Sequence, residues 1–127
     1  MSEDPRRRLG ALGERLAAEH MARRGYRIVE RNYRTRWGEL DIVAFDGETL
    51  AFCEVKTRRL RRPGLGGPGA LDAVGPHKRR QVRAMARSWL SERHDRPFAS
   101  ALRFDAIGVT FDATGRLLSL EHLEDAF

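Results

Sequence analysis

Apolar residues recur along this chain with two different periods. Two segments, 9–24 and 77–93, place them three or four positions apart; Leu9, Leu12 and Leu16 begin the first series. That spacing predicts amphipathic helices. Shorter apolar segments rich in β-branched and aromatic residues predict five strands, over 26–33, 40–45, 50–57, 102–111 and 116–120.

The predicted elements follow the order α-β-β-β-α-β-β. The first three strands are expected to form an antiparallel meander. The third and fourth are joined through a helix, which predicts a parallel pair. The sequence therefore predicts an α/β fold, a mixed sheet flanked by helices. With 127 residues, 41% of them hydrophobic, we expect one domain over 1–127. A basic tail over 1–8 and a mobile basic loop rich in glycine and proline over 58–76 complete it.

The second and third strands form a predicted hairpin around the dipeptide at 46–47, Asp-Gly. Such a dipeptide favours a two-residue turn. In that register Phe45 lies opposite Glu48, and Asp41 lies opposite Phe52. A three-residue turn would move Asp41 to the other face unless a bulge restored it.

The same register collects charged residues at one corner of an otherwise apolar hairpin. Asp41 and Glu54 share a face, Lys56 points the same way two residues later, and Glu39 lies opposite Glu54. Two neighbouring carboxylates repel each other unless a cation lies between them. Mg²⁺ prefers carboxylates, waters and phosphate oxygens, so the corner is a candidate magnesium site; the alternative is a salt-bridged cluster at a strand end.

The pattern of Asp41 followed by Glu54-Val55-Lys56 resembles the motif of the PD-(D/E)xK nucleases, whose core has this element order. The likeness to the bacterial YraN family is wider. It is carried by runs across nearly the whole chain, which begin at Gly13 (GERLAAE), Tyr26 (YRIVERNY), Gly38 (GELD), Glu54 (EVKTR), Arg103 (RFD) and Glu121 (EHLEDAF). The nearest recognisable relatives of YraN proteins resemble archaeal Holliday junction resolvases. The resemblance implies a restriction-endonuclease-like core.

Site residues follow from the resemblance position by position. Asp41 and Glu54 would be metal ligands, joined by the backbone carbonyl of Val55, and Lys56 would be the catalytic lysine. Glu14 matches a glutamate of the first helix that completes such sites. The literal signature has a proline before the aspartate, whereas this chain has Glu39-Leu40 there. Glu39 is interpreted as an acid that supports the metal ligands, or else as a solvated residue at the start of a strand.

Basic side chains dominate the charge of the chain, which is +6 at pH 7. Arginine forks match phosphate geometry, and a basic domain of this size favours a polyanionic partner. A solvated charged surface is the alternative. The candidate nucleic-acid contacts are Arg36, Arg58, Arg59, Arg61, Arg62, Lys78 and Gln81.

Two functions are consistent with these residues. The first is an endonuclease that uses Mg²⁺, or Mn²⁺, to hydrolyse phosphodiester bonds of DNA, with branched or repair intermediates as candidate substrates. The second is a nucleic-acid-binding module with a weak or silent site; an RNA-binding accessory protein rests on charge alone. A homodimer would provide the two sites that junction resolution needs. No secretory signal, no apolar run long enough for a membrane and a single cysteine, Cys53, predict a cytoplasmic protein without a membrane partner.

Overall fold

A five-stranded mixed sheet lies between two helices in the computed structural model, which describes residues 4–61 and 75–127. The strands lie in the order β1-β2-β3-β4-β5 across the sheet. The elements are α1 (Pro5–Arg23), β1 (Arg27–Thr35), β2 (Gly38–Phe45), β3 (Thr49–Arg59), α2 (Pro76–Glu92), β4 (Ala101–Phe111) and β5 (Leu117–Leu123). The predicted fold class and element order are confirmed. The β3–β4 pair is parallel, and the other three neighbouring pairs are antiparallel.

Helix α1 begins earlier than its apolar stripe. The Asp4 side chain accepts a hydrogen bond of 2.9 Å from the Arg6 N–H, and Pro5 occupies the first helical position. Both features start helices, because a capping carboxylate satisfies an unpaired N–H and proline needs no donor there. The prediction of a tail over 1–8 was therefore wrong for 5–8; residues 1–3 lie outside the described part of the chain.

Apolar residues of β2 and β3 alternate between two clusters, one on each face of the sheet. Ile42 and Cys53 pack with α1, whereas Val43 and Phe52 pack with α2. Burial on both faces explains why these strands are almost continuously apolar. Neither described helix is long and apolar enough to span a membrane.

The β2–β3 turn is longer than the sequence predicted. Phe45 pairs with Leu50, and Val43 pairs with Phe52, so the register differs by two residues from the expected one. The Asp46 carboxylate closes the wider turn by accepting from the N–H groups of the two residues before Leu50, at 2.9 and 2.8 Å. A shift of two preserves the face of every side chain in a regular strand.

The predicted basic loop over 58–76 is shorter in the structure. Strand β3 continues to Arg59, which pairs with Phe111 at the end of β4, and α2 begins at Pro76. Arg58 thus belongs to a strand as well, because the parallel partner β4 supplies hydrogen bonds that local sequence does not reveal. The remainder of the loop, 62–74, lies outside the described residues.

Side-chain alternation breaks where the charged residues of β2 are located. Leu40 and Val43 both pack on the α2 side, although three positions separate them. On the neighbouring strand Asn32 has a φ of 58°, a left-handed conformation that interrupts a regular strand. The break in alternation on β2 and the irregular backbone of β1 therefore occur near the same point of the sheet.

Candidate active site

Asp41 lies where β2 and β3 stop pairing. The last backbone pair between these strands is Ile42 with Cys53. Beyond this pair, the Val55 N–H donates to Asp41 Oδ2 at 2.7 Å. The Asp41 carboxylate therefore accepts a hydrogen bond that a backbone carbonyl of β2 would accept in a continuous strand pair. Since the N–H and C=O of a strand residue are directed at the same neighbour, the carbonyl of Val55 is directed into the same gap. This agrees with its predicted position beside the aspartate.

Three carboxylates converge on the α1 side of this gap. Ligand oxygens of Glu14, Glu39 and Asp41 all lie within 4.8 Å of one another. Asn32 lies against two of them: with its NH₂ group turned toward the acids it donates to Glu39 Oε1 at 2.6 Å and to Glu14 Oε2 at 2.9 Å. The structure thus brings Glu14 of α1 beside Asp41, and it makes Glu39 a direct member of the same carboxylate cluster.

The electrostatics of the cluster are those of crowded acids. Burial raises the pKa of Asp41 to about 7; the charges of Glu54, Glu14 and Glu39 add to this effect, while the hydrogen bond from Val55 opposes it. Burial and the charge of Glu39 also raise the pKa of Glu14, against the effect of Arg31. A cation would relieve this repulsion by favouring the ionised carboxylates.

Glu54 approaches the gap from the α2 side. Its carboxylate is only 6% exposed, and its Oε1 lies 2.5 Å from Lys78 Nζ and 3.4 Å from Lys56 Nζ. Its other oxygen, Oε2, is buried without a hydrogen-bond partner among residues 4–61 and 75–127. Glu54 is not a member of the group of Glu14, Glu39 and Asp41.

The predicted common face of Asp41 and Glu54 was therefore wrong. Simple alternation along β2 would have placed the Asp41 carboxylate on the α2 side, together with that of Glu54 on β3. The break in alternation between Leu40 and Val43 instead brings Asp41 to Glu14 of α1. The two carboxylates still interact electrostatically across the strand gap, because the negative charge of Glu54 contributes to the raised pKa of Asp41.

The donor set fits a hard divalent cation. Glu14, Glu39 and Asp41 supply carboxylate oxygens at one point, and the Glu54 carboxylate has an oxygen without a partner inside the described chain. Mg²⁺ and Mn²⁺ prefer oxygen ligands and retain several waters, so three carboxylates plus solvent suffice. The residues present therefore match the expected metal class; the ion itself stays a prediction.

Several predicted nucleic-acid contacts have structural partners. The Arg36 guanidinium lies 4.5 Å from the ring centroid of Trp37. The Gln81 side chain donates to the backbone carbonyl of Trp37, beside Gly38, whose φ of +132° admits little but glycine. Lys78 is held by Glu54. These contacts bring α2 to the β1–β2 turn, close to the strand gap.

The arginines that follow Lys56 in the chain have different environments. Arg58 Nε is buried and has no hydrogen-bond partner in the described part of the chain. Arg59 donates to the carbonyl of Ala113, and Arg61 is exposed. Both line a groove at the end of β3. Arg62 lies outside the described residues.

Two contacts near the strand gap were not predicted from the sequence. Asn32 sits inside the run that resembles YraN, but its approach to Glu14 depends on its left-handed conformation. Lys78 was expected to contact phosphate, and its ion pair with Glu54 depends on how α2 packs. Neither contact has a signal in local sequence.

Comparison with known proteins places the chain in a family. The model of "Uncharacterised protein family UPF0102" matches residues 13–109. A UPF0102 protein of Streptomyces griseus is 49% identical over 84% of this chain and 86% of its own length. Relatives from Geobacter metallireducens and Chlorobium limicola are each 44% identical; the first match covers 94% of this chain and 91% of the relative, and the second covers 100% and 96%. The chain belongs to the UPF0102 family.

Proposed function

We propose that this protein is a metal-dependent endonuclease that hydrolyses phosphodiester bonds of DNA, with branched or repair intermediates as candidate substrates. The observation that carries the proposal is the position of Asp41. Its carboxylate is 8% exposed, fixed by the Val55 N–H at 2.7 Å, and joined by Glu14 and Glu39. A buried acid among other acids is costly unless a cation or a proton compensates it.

The likeness of the Asp41, Glu54 and Lys56 pattern to the PD-(D/E)xK motif supports the same proposal. Placement of the UPF0102 family among these nucleases is part of the proposal and rests on this pattern together with the element order α-β-β-β-α-β-β. Magnesium is the proposed cofactor, with manganese as its substitute, because every side chain in the carboxylate cluster offers oxygen.

Each residue has a defined task in this proposal. Glu14, Glu39 and Asp41 would hold the cation, which when bound polarises the phosphate and lowers the pKa of an attacking water. Lys56, whose side chain is 43% exposed, can reach solvent and orient that water or stabilise the charge that develops on the phosphate. The water oxygen adds to phosphorus and releases a proton to solvent, the bond from phosphorus to the leaving oxygen breaks, and solvent protonates the leaving oxygen.

A nucleic-acid-binding module with a silent site is the second candidate. The specific observation in its favour is the contact of 2.5 Å between Lys78 Nζ and Glu54 Oε1. This ammonium neutralises a carboxylate that the resemblance assigns to the metal, so it competes with the cation for Glu54. The two candidates differ in whether cleavage occurs.

A cleavage panel separates the candidates. Single-stranded, duplex, flapped and four-way DNA are incubated with Mg²⁺, Mn²⁺ or EDTA, using the wild type and Lys56→Ala. We expect metal-dependent cleavage by the wild type, its loss in Lys56→Ala, and nearly unchanged DNA binding, because one charge contributes little to total phosphate contact. Arg15→Ala removes one exposed positive charge elsewhere and serves as the control.

Cleavage that persists in EDTA, or in Lys56→Ala, would contradict the proposal. Metal-independent DNA binding by the wild type without cleavage of any substrate would favour the silent module instead. Equal loss of binding and cleavage in Lys56→Ala would assign this lysine to binding or folding.

A further inference from the structure

Two surface grooves meet at Gly10 in the first turns of α1. One, of about 710 Å³, lies between α1 and the end of β3. The other, of about 550 Å³, lies on the opposite flank of α1 and reaches Glu14 of the carboxylate cluster. Gly10 lines both grooves, so they are neighbours across a single turn of helix.

Arginines line both grooves. Among the described residues, the charged groups that line the groove beside β3 are Arg6, Arg59 and Arg61, with Asp4 as the one acid. Asp4 is already used, because its carboxylate caps α1. Positive charge therefore dominates this groove, and the walls offer forks that match phosphate oxygens.

The groove on the other flank is lined by Arg7 and Arg34, against Glu14. Arg34 has only a long contact of 3.7 Å with Glu39, and its side chain is 87% exposed. Such an exposed pair contributes little, so this arginine can turn to another anion at small cost. Glu14 stands at the end of the groove, where the carboxylates of the cluster gather.

Gly10 forms the passage between the two grooves. A Cβ atom added at this position would meet no heavy atom of residues 4–61 or 75–127 within 4 Å. A helix interior normally disfavours glycine, by about 1 kcal/mol relative to alanine. Three residues later the situation is opposite: a Cβ at Gly13 would lie 2.2 Å from Thr57 Oγ1, so Gly13 is required for packing. Gly10 is half-buried, and a Cβ there would have space.

We infer that one strand of a nucleic-acid backbone crosses α1 at Gly10, from the arginines beside β3 to the arginines beside Glu14, and so delivers a phosphodiester to the carboxylate cluster. This inference rests on the proposed function and adds the path of the substrate to it. From Arg7 to Glu14 the helix advances about 10 Å, which is the axial length of roughly three nucleotides of one strand.

The test adds a negative charge at the crossing. Binding of a fluorescent single-stranded DNA 12-mer is measured in EDTA by anisotropy for the wild type, Gly10→Glu and Gly10→Gln. We expect Gly10→Glu to weaken binding at least fivefold relative to Gly10→Gln, because the two side chains have nearly the same size and differ in charge. Thermal melting confirms that both variants fold.

Ala22 provides the matched control. It is an exposed residue of the same helix and lines neither groove. Ala22→Glu and Ala22→Gln repeat the same change of charge, and we expect their affinities to differ less than twofold. A similar loss at both positions would mean that net charge alone decides binding, and it would overturn the inference.

Other outcomes are equally decisive. Equal affinities of Gly10→Glu and Gly10→Gln for the 12-mer, or no binding of the 12-mer by the wild type, would each overturn the crossing. Since EDTA prevents metal-dependent cleavage, a charge effect at Gly10 in a protein that cleaves no DNA would retain the path and reject the endonuclease. Metal-dependent cleavage by a protein whose DNA affinity does not change with the charge at Gly10 would retain the endonuclease and reject the path.

Discussion

The N–H of Val55 donates to Asp41 Oδ2 at 2.7 Å across the point where β2 and β3 separate. The aspartate carboxylate is thereby held in place by the backbone of β3. Burial, together with the charges of neighbouring acids, raises its pKa to about 7 despite this hydrogen bond. A carboxylate that the backbone holds in place, and whose ionised form is unfavourable without a nearby positive charge, is suited to bind a metal ion, because the charge of the metal would compensate its own.

Asp41→Asn is expected to stabilise the metal-free protein above neutral pH. The folded pKa of about 7 exceeds the ordinary value of 3.8, so the stability due to protonated Asp41 is full below 3.8 and is lost as the pH rises through 7. At pH 8 in EDTA, the free energy of unfolding measured with urea should be higher for the variant than for the wild type by on the order of 2 kcal/mol. At pH 4 the difference should vanish.

The same variant should lose the response to metal. Mn²⁺ should raise the melting temperature of the wild type, because it binds only the folded state, and should raise that of Asp41→Asn much less. A large loss of stability in EDTA at pH 8 would instead identify Asp41 as a structural hydrogen-bond acceptor.

Lys78→Ala tests whether Glu54 belongs to the metal site. Removal of the ammonium 2.5 Å from Glu54 leaves Lys56, at 3.4 Å, as the cationic partner of Glu54 within the described part of the chain. If Glu54 helps to hold the cation, we expect Mn²⁺ affinity measured by titration calorimetry to rise several-fold. Arg79→Ala, a neighbouring change of charge on α2, is the control. Unchanged affinity in Lys78→Ala would restrict the metal to the α1 side of the gap.

Asp105→Asn should destabilise the protein at neutral pH. Burial alone would raise the pKa of Asp105, but hydrogen bonds from His122, Arg103 and the Asp125 N–H outweigh it and lower the pKa to about 2. The lowered pKa contributes stability above pH 3.8 that is lost as the pH falls toward 2.

Removing one member of this buried network should cost about 3 kcal/mol at pH 7, and less at pH 3, as measured by urea unfolding. Asp95→Asn, at an exposed position, should change little. A cost for Asp105→Asn that is the same at both pH values would show that packing, rather than charge, sets its contribution.

Gly13→Ala should weaken the packing of α1 on β3. The added Cβ would lie 2.2 Å from Thr57 Oγ1, so side chain or helix must shift. Overpacking of this kind costs about 1–3 kcal/mol, which thermal or urea unfolding would detect. Gly10→Ala, with open space at its Cβ, should stabilise the helix by about 1 kcal/mol. Thr57→Ala combined with Gly13→Ala should recover part of the loss; absence of any loss would contradict this contact.

The order of elements was predictable because each depends on local periodicity. The apolar stripes of both helices and the long apolar runs of β2 and β3 need no knowledge of the fold. Boundaries were less predictable. Helix α1 starts at Pro5 because Asp4 caps it, and β3 continues to Arg59 because β4 runs beside it. The pairing of Asp105 with Arg103 joins two residues of the same strand, two positions apart.

The candidate site was only partly predictable. Asp41, Glu54 and Lys56 could be selected because they are charged residues in an apolar hairpin. Their arrangement could not, because the turn is held by Asp46 and is two residues longer than its Asp-Gly dipeptide indicated. The side of the sheet on which Asp41 lies follows from a break in side-chain alternation between Leu40 and Val43, which the sequence does not reveal.

The sequence by itself determined the residue types at the polar corner and the strands that carry them, since both depend on neighbours in the chain. Only the tertiary structure decided that Glu14 and Glu39 join Asp41, and that Lys78 holds Glu54. The physical reason is distance along the chain. These groups lie on separate elements, and a single break in strand alternation, together with the packing of two helices on opposite faces, brings them to one gap in the sheet.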